Sequence, residues 1–333
     1  MKLYIRAPFT NTKIEELREL FNEIIYEPWT ETGERYYEDE MIEALQLHQP
    51  DVLITELDKV TEKVLNNYSG LKLVGDCRAV PANIDIDACI QKGIPVVCTP
   101  GRNAQAVAEM LVGLLLTYMR NIIPSVEWVK EKKWVQGTTP YYTWMGNELN
   151  GKTIGFVGFG AVGQASAKIL EAFDCIITYY DPFVKLENSS YEKKELAELF
   201  KSADIISLHL PSIPATENMI NQELMKTMKK NALLINTARS SVIDMDALES
   251  VIKNGEISGA ILDVLDNEPP SDDDLRLLKY DNVLITPHIC GATYEVTDHQ
   301  SAIMTDRLKK YFQDGLKEGV LYNYKGLGEK DGK

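Results

Sequence analysis

The run Gly158-Phe159-Gly160-Ala161-Val162-Gly163 sets glycine at three positions that have separate physical jobs. A dinucleotide-binding turn needs one glycine to reverse tightly, a second to let backbone approach a pyrophosphate, and a third to let the next helix lie close on the preceding strand. The flanking residues suit that use. TIGFV before the motif reads as a buried strand, and Val162, Ala165, Ile169, Leu170 and Phe173 recur on one helical face after it. The N–H groups that open such a helix have no partners within it and can face an anion. A lone GxGxxG is a weak signal, but in this strand-turn-helix setting it becomes a strong one. Eighteen residues beyond Gly163, the run CIITYYD ends in Asp181, an acid placed to accept hydrogen bonds from the adenosine ribose hydroxyls and to repel a 2′-phosphate. The expected cofactor is therefore NAD rather than NADP.

Such groups need a sheet to hold them. From residue 1 to about 100, the β-rich runs LYIRA, DVLIT, LKLVGD and IPVVC alternate with helix-like segments such as Thr12 to Ile25, which predicts a parallel α/β sheet. A second series (TIGFVG, CIITYYD, DIISLHL, ALLINT, ISGAILDV, NVLITPH) starts at Lys152 and predicts a doubly wound sheet. Between them, NAQAVAEMLVGLLLTYMRNI is apolar almost all round and must be buried in a large core or a subunit interface, so a homodimer is expected. Residues 125–150 are rich in Trp, Tyr, Gly and Thr without clear periodicity and are expected to form a connecting arm. A last long helix is predicted from Val296 to Phe312, and the polar tail GLGEKDGK is expected to fray.

A length of 333 residues suggests two domains at roughly 150 residues each. With 44% hydrophobic and 26% charged residues the composition is that of a globular protein and excludes wholesale disorder. The net charge of −15 repels phosphate backbones and anionic lipid, so neither nucleic acid nor membrane is an expected partner. It also repels a small anionic ligand, whose site would need locally clustered arginines. The first residues contain no apolar run of signal-peptide length, and residues 110–119 fall well short of the ~20 that span a bilayer, so a cytoplasmic location is expected. The five cysteines, Cys77, Cys89, Cys98, Cys175 and Cys290, include no CxxC pair and indicate neither a disulfide framework nor a metal site.

The segments TPGRNAQAVAE, GKTIGFVGFGAVG, SLHLPSIPATENMI, LLINTARSSVID, GAILDVLDNEPP and TPHICGAT, in this order, resemble the D-isomer-specific 2-hydroxyacid dehydrogenases over nearly the whole chain. The resemblance implies two doubly wound parallel-sheet α/β domains. A Rossmann NAD-binding domain, residues 101–291, would be inserted into a flavodoxin-like substrate-binding domain, residues 1–100 and 292–333, with the active site in the cleft between them. The family's arginine, glutamate and histidine match Arg239, Glu268 and His288. Their chemistry fits. Removing hydride from a secondary alcohol needs a base for the hydroxyl proton that works near neutral pH, which suits a histidine. A carboxylate on the other ring nitrogen sets the tautomer, and a guanidinium offers a planar fork for the substrate carboxylate. The resemblance further places Val162 at the pyrophosphate, His209 on the nicotinamide side, Pro211 and Thr216 near the adenosine and ribose, and Thr237, Ala238 and Gly291 beside the cofactor. Asp263 would accept from the carboxamide, or else act as a buried strand-end aspartate that holds backbone. His48 and His299 read as ordinary helix positions.

The chain departs from the family pattern at Cys77-Arg78-Ala79-Val80-Pro81-Ala82-Asn83-Ile84-Asp85, where many relatives have a glycine-rich turn. Val80 and Pro81 restrict this backbone, so the turn must differ in shape, with the amides of Ala79 and Val80 still expected on the substrate carboxylate. Arg78 and Arg102 supply the local cations that the global charge demands, and a second cation suits a phosphate. Thr55-Glu56-Leu57-Asp58 is acidic instead, and Glu56 reads either as an acceptor for sugar-acid hydroxyls or as a solvated loop charge. Ser240 replaces a common glycine, and Cys290 replaces a common alanine as a buried inert thiol or, less readily, a reactive one. No regulatory domain is expected beyond residue 333. The expected activity is NAD-dependent interconversion of a small anionic D-2-hydroxy acid and its 2-keto acid, of D-3-phosphoglycerate type. Hydroxypyruvate, glyoxylate or sugar-acid reduction is the alternative, and an NADH-sensing corepressor-like binding protein is the alternative of another class. Formate oxidation is disfavoured because that branch has glutamine where Glu268 stands.

Overall fold

The computed structural model describes residues 1–187 and 189–328. The chain forms two compact units, one made of residues 1–102 together with the chain from Thr293 onward, the other of Asn103–Ala292. Both are α/β units built on fully parallel sheets.

The first unit contains strands β1 (Lys2–Ile5), β2 (Glu23–Tyr26), β3 (Val52–Thr55), β4 (Leu73–Asp76) and β5 (Val96–Cys98), in the flavodoxin-like order β2-β1-β3-β4-β5. Helices cover both faces, so the inner strands are apolar runs rather than alternating ones, and β3 and β4 are buried at every position. One face packs Tyr4, Leu53, Val74 and Val96 with Leu45 and Val64. The other packs Leu3, Ile5, Ile54 and Val97 with Leu17 and with Met304 and Leu308 of the helix Val296–Phe312. That helix therefore supplies core that the first hundred residues lack. The return is locked by Asn323, which accepts from Val96 N at 2.9 Å and donates to Ile94 O at 2.9 Å.

The segment predicted helical over Thr12 to Ile25 divides into a helix at Asn11–Leu17 and the edge strand β2. The backbone of EIIY pairs in register with β1, Ile5 opposite Tyr26, and that pairing overrides the local helical pattern.

The second unit contains β6 (Thr153–Val157), β7 (Ile176–Tyr180), β8 (Glu192–Lys193), β9 (Ile205–Leu208), β10 (Leu233–Asn236), β11 (Gly259–Leu262) and β12 (Val283–Ile285), in the order β12-β11-β10-β9-β6-β7-β8. This is the doubly wound Rossmann arrangement, with the switch point between β6 and β9. β8 is absent from the sequence reading because a two-residue, charged edge strand carries no apolar signal. The helix Ala104–Met119 buries Leu111 and Leu115 in one cluster with Ile154, Phe156 and Leu170. Residues 125–150 contain no strand, but the helices Ile122–Lys130 and Pro140–Thr143 form there or run into it. Ile122, Ile123, Val126 and Val129 are all exposed, so the first of these helices buries no face of its own. Of the tail expected to fray, residues 326–328 lie instead in the helical turn Tyr324–Gly328, and the remainder lies outside the described residues. No single helix among the described residues is long and apolar enough to cross a membrane.

Three buried ionisable groups, Arg6, Asp58 and Asp76, mark the carboxyl edge of the first sheet. Arg6 pairs with Asp58 at 3.3 Å, and Asp58 also accepts from Tyr36 N at 2.7 Å and Thr55 Oγ1 at 2.8 Å. Asp76, which ends β4, is wholly buried. Burial pushes its carboxyl up to about 8, against the lowering pull of Arg78, Asn83 and Arg102 and with Glu56 adding to the rise. The native state therefore keeps a proton that the unfolded chain releases above its ordinary carboxylate value, so stability falls as pH rises from about 4 to 8. Asp76→Asn is expected to remove that slope. In urea unfolding at pH 5 and pH 8, the variant should gain stability relative to the parent at the higher pH, and an identical slope in both proteins would contradict the assignment.

Candidate active site

The glycine loop sits directly after β6, at the switch point of the second sheet. Gly158 has φ +88°, and a Cβ there would meet His209 O at 2.5 Å, while a Cβ on Gly163 would meet Gly158 O at 2.8 Å. These two glycines are required by the fold. Gly160 differs, because a Cβ on it would enter open space. It caps the helix Ala161–Glu171 without a side chain, so the N–H groups of Ala161, Val162 and Gly163 open toward that space unpaired within the helix. Asp181 ties the loop down, accepting from Phe159 N at 2.8 Å through one oxygen and from Phe183 N at 2.8 Å and Val184 N at 2.9 Å through the other. Burial works against its ionisation, and the backbone donors Phe159, Val184 and Phe183 outweigh that, holding the carboxyl below its usual range. Thr237 keeps a buried hydroxyl with no partner among the described residues. Open space at a helix start, an anchored acid beside it and an orphaned hydroxyl fit a dinucleotide.

Other expected cofactor contacts are committed locally. Thr216 Oγ1 donates to Pro211 O at 2.6 Å and accepts from Ile213 N at 3.1 Å, shaping the 211–216 turn. His209 Nε2 lies 2.9 Å from Ser207 Oγ, and burial lowers its imidazole to about 4, so it is neutral. A Cβ on Gly291 would meet Asn103 Nδ2 at 2.7 Å, so a side chain there would have to displace the Asn103 amide.

Glu268 and His288 meet. His288 Nδ1 is 2.7 Å from Glu268 Oε2 and 2.9 Å from Oε1. A carboxylate only accepts, so Nδ1 carries the hydrogen and Nε2 is the nitrogen that gains and loses a proton. Nε2 has no hydrogen-bond partner among the described residues. Arg239 is exposed and donates to Ala238 O at 2.6 Å, and the structure shows no contact between it and the Glu268–His288 pair. His48 also approaches a carboxylate, Glu27 at 3.4 Å, but it packs on the Tyr4 ring in the first unit.

Two residues that end strands hold these loops, and the sequence reading had missed one of them. Asn236, at the end of β10, donates to Arg239 O at 2.8 Å and accepts from Ala238 N at 3.0 Å. The signal available was a polar residue closing the apolar run LLIN. Asp263 follows β11 and accepts from Thr286 Oγ1, Ile289 N and Cys290 N, so it holds the backbone of the following connection. Cys290 is buried, and burial first and Asp263 second push its thiol well up, so it is inert.

In the first unit, Arg78 is half-buried and its guanidinium has no hydrogen-bond or ion-pair partner among the described residues, while Ala79 and Val80 are exposed. Arg102 is committed, bonding to both Glu56 and Gln300. The second oxygen of Glu56 accepts from Trp29 Nε1 at 3.0 Å. Glu56 is neither a solvated charge nor a free acceptor; it neutralises Arg102.

Comparison with known proteins gives concordant results. The family model "D-isomer specific 2-hydroxyacid dehydrogenase, NAD binding domain" matches residues 112–290. YoaD of Bacillus subtilis (strain 168), whose name assigns it provisionally to the 2-hydroxyacid dehydrogenases, is 44% identical over 98% of this chain and 96% of its own length. D-3-phosphoglycerate dehydrogenase of Methanocaldococcus jannaschii is 37% identical over 85% of this chain, which spans only 53% of that enzyme. D-lactate dehydrogenase from Aquifex aeolicus, solved with NAD and lactic acid, superposes with a TM-score of 0.72 at 28% identity, covering 97% of this chain and 99% of that one.

The contrast between two glycines tests the cofactor site. Gly160→Ala should keep the parent's Tm yet lose at least tenfold in NADH affinity by fluorescence titration, since its methyl enters the space left for phosphate. Gly158→Ala should lower both. Unchanged NADH affinity in Gly160→Ala would place the dinucleotide elsewhere.

Proposed function

The chain belongs to the D-isomer specific 2-hydroxyacid dehydrogenase family, and from that premise we propose that it interconverts a small unphosphorylated D-2-hydroxy acid and its 2-keto acid, with His288 as the acid-base group. It is an NAD-dependent oxidoreductase acting on CH–OH groups. One observation carries the residue assignment: both oxygens of Glu268 lie within 2.9 Å of His288 Nδ1, which leaves Nε2 free for proton transfer. NAD supplies or accepts the hydride. In reduction the imidazolium Nε2–H gives its proton to the ketone oxygen as the alcohol forms, and in oxidation neutral Nε2 takes the hydroxyl proton. Glu268 holds the ring and fixes its tautomer. Arg239 spends one N–H on Ala238 O and keeps the rest of its fork for the substrate carboxylate.

The substrate class follows from charge. A phosphoglycerate-like acid was expected on the strength of an arginine near the pocket in addition to Arg239, with Arg78 and Arg102 as the local cations. Arg102 is neutralised by Glu56, so Arg78 is left as the single uncommitted cation of the two. With Arg239 on the carboxylate, a single further cation and acidic Glu56 beside it favour a hydroxypyruvate-, glyoxylate- or sugar-acid-like substrate over one carrying a doubly charged phosphate. In a panel of 2-keto acids followed by NADH loss, unphosphorylated acids should be preferred, and His288→Ala should lower kcat about 10³-fold. A tenfold preference for phosphohydroxypyruvate would overturn the substrate class. Tight NADH binding without turnover would favour the corepressor-like reading.

A homodimer belongs to the same proposal. The exposed Ile122, Ile123, Val126 and Val129 adjoin a groove of about 1230 Å³ whose walls carry Tyr118, Met119, Trp144 and Met145 beside Lys229, Lys230, Asp204 and Asp281, a surface of mixed apolar residues and both charge signs that can complement a second copy of itself. Sedimentation should give twice the 37.5 kDa chain mass, and Val126→Glu with Val129→Glu should return the single-chain value. A monomeric parent protein would remove this part of the proposal.

A further inference from the structure

The carboxyl edge of the first sheet carries a polar tier that the proton chemistry does not use. The strand order β2-β1-β3-β4-β5 puts the switch point between β1 and β3, where open α/β sheets receive ligands. Glu56 follows β3 there. Its Oε1 accepts from Arg102 Nη1, and its Oε2 accepts from Trp29 Nε1 at 3.0 Å. The same Nη1 donates to Gln300 Oε1, while Gln300 Nε2 donates to Pro8 O at 2.7 Å, just beyond β1. Trp29 is pinned a second time, its backbone N–H donating to Arg6 O at 2.9 Å. Connections after four strands and one long helix thus hold a single ion pair.

Both oxygens of Glu56 are committed, yet the pair is not saturated. A carboxylate has about four lone-pair sites, of which Glu56 spends two. Arg102 keeps Nε and Nη2 without a hydrogen-bond partner among the described residues. The two side chains reach the surface, 12% exposed at Glu56 and 21% at Arg102, and Trp29 beside them is half-buried. The charges of Glu56, Arg78 and Arg102 all bear on the Asp76 carboxyl, so the pair and Arg78 surround one strand end. A neutral pair with acceptor and donor side by side matches a group that donates and accepts at once, a hydroxyl. A phosphate dianion only accepts, and it meets the carboxylate as a like charge.

We propose that Glu56 and Arg102 form a subsite for a hydroxyl group that the substrate carries beyond C2, with Trp29 as an apolar wall that also positions Glu56. The inference rests on the proposed function and narrows it to hydroxylated 2-keto acids. Glyoxylate has no carbon to carry that group and is expected to be a poor substrate.

Two matched pairs differ by one hydroxyl: hydroxypyruvate with pyruvate, and 4-hydroxy-2-oxobutanoate with 2-oxobutanoate. In the parent, kcat/KM should favour the hydroxylated member of at least one pair by about 100-fold, because a site built for a hydroxyl leaves its own polar groups unpaired when that group is missing. Glu56→Gln should cut this preference at least tenfold. By releasing Arg102 it should also raise activity on phosphohydroxypyruvate relative to hydroxypyruvate at least tenfold, an exchange of specificity that a general loss of structure does not produce. Trp29→Phe keeps a ring but removes the N–H, and should cut the preference about fivefold without the gain on the phosphorylated acid. If Glu56→Gln does not fold, Trp29→Phe decides, since an unchanged preference there overturns the inference. Binding separates the subsite from the reaction. With the protein saturated in NADH, which cannot reduce a hydroxy acid, calorimetry on the corresponding D-2-hydroxy acids should find the hydroxylated member of the favoured pair bound at least tenfold tighter. Such binding without turnover in the parent would remove the proposed function and keep the subsite. Equal or absent binding within both pairs overturns the inference, whatever the parent turns over.

Discussion

The hydrogen bond from His288 Nδ1 to Glu268 is the contact on which the chemistry of this chain depends, because it turns an imidazole with two similar nitrogens into one with a fixed donor and a single working site. That contact spans 20 residues of sequence and two strand connections. It forms because both residues leave the same edge of a parallel sheet, where every strand ends at one level and the loops after β11 and β12 are neighbours. The carboxylate is acceptor-only, so the geometry needs no further group to choose the tautomer.

The edge that brings the pair together is held by side chains of the strand ends rather than by the loops. Asn236 and Asp263 close their apolar strands with a polar residue turned onto the next connection, and the backbone of one bonds to the other. The first unit uses its edge in a similar way, with Asp58 gathering Arg6, Thr55 and Tyr36 N, and Glu56 gathering Arg102 and Trp29. Buried charges there are paired or, at Asp76, kept neutral, as the cost of burying an isolated carboxylate requires.

Much of this was legible in residue order. The strands of both sheets read as apolar runs because helices cover them on both faces, and the glycine spacing showed its strand-turn-helix setting. The helix Val296–Phe312 was visible from its pattern. The misreadings have physical causes. β2 lay inside a helical pattern and is a strand because β1 pairs with it. The helix Ile122–Lys130 was taken for an arm because its apolar residues bury no face within the chain. Asp263 was left between the carboxamide and the backbone because nothing along the chain shows which donors will reach a buried carboxylate.

Residue types and their order alone determined the α/β class, the nucleotide turn and the identities of Arg239, Glu268 and His288, since these follow from periodicity, from where glycine is tolerated and from which groups can move a proton. Tertiary structure alone decided how the charges are spent. Whether Arg102 is free or neutralised, which donors reach Asp263, and whether Asp76 is ionised all depend on neighbours brought together from distant segments. Electrostatic energy depends on distance and burial in space, and sequence separation records neither.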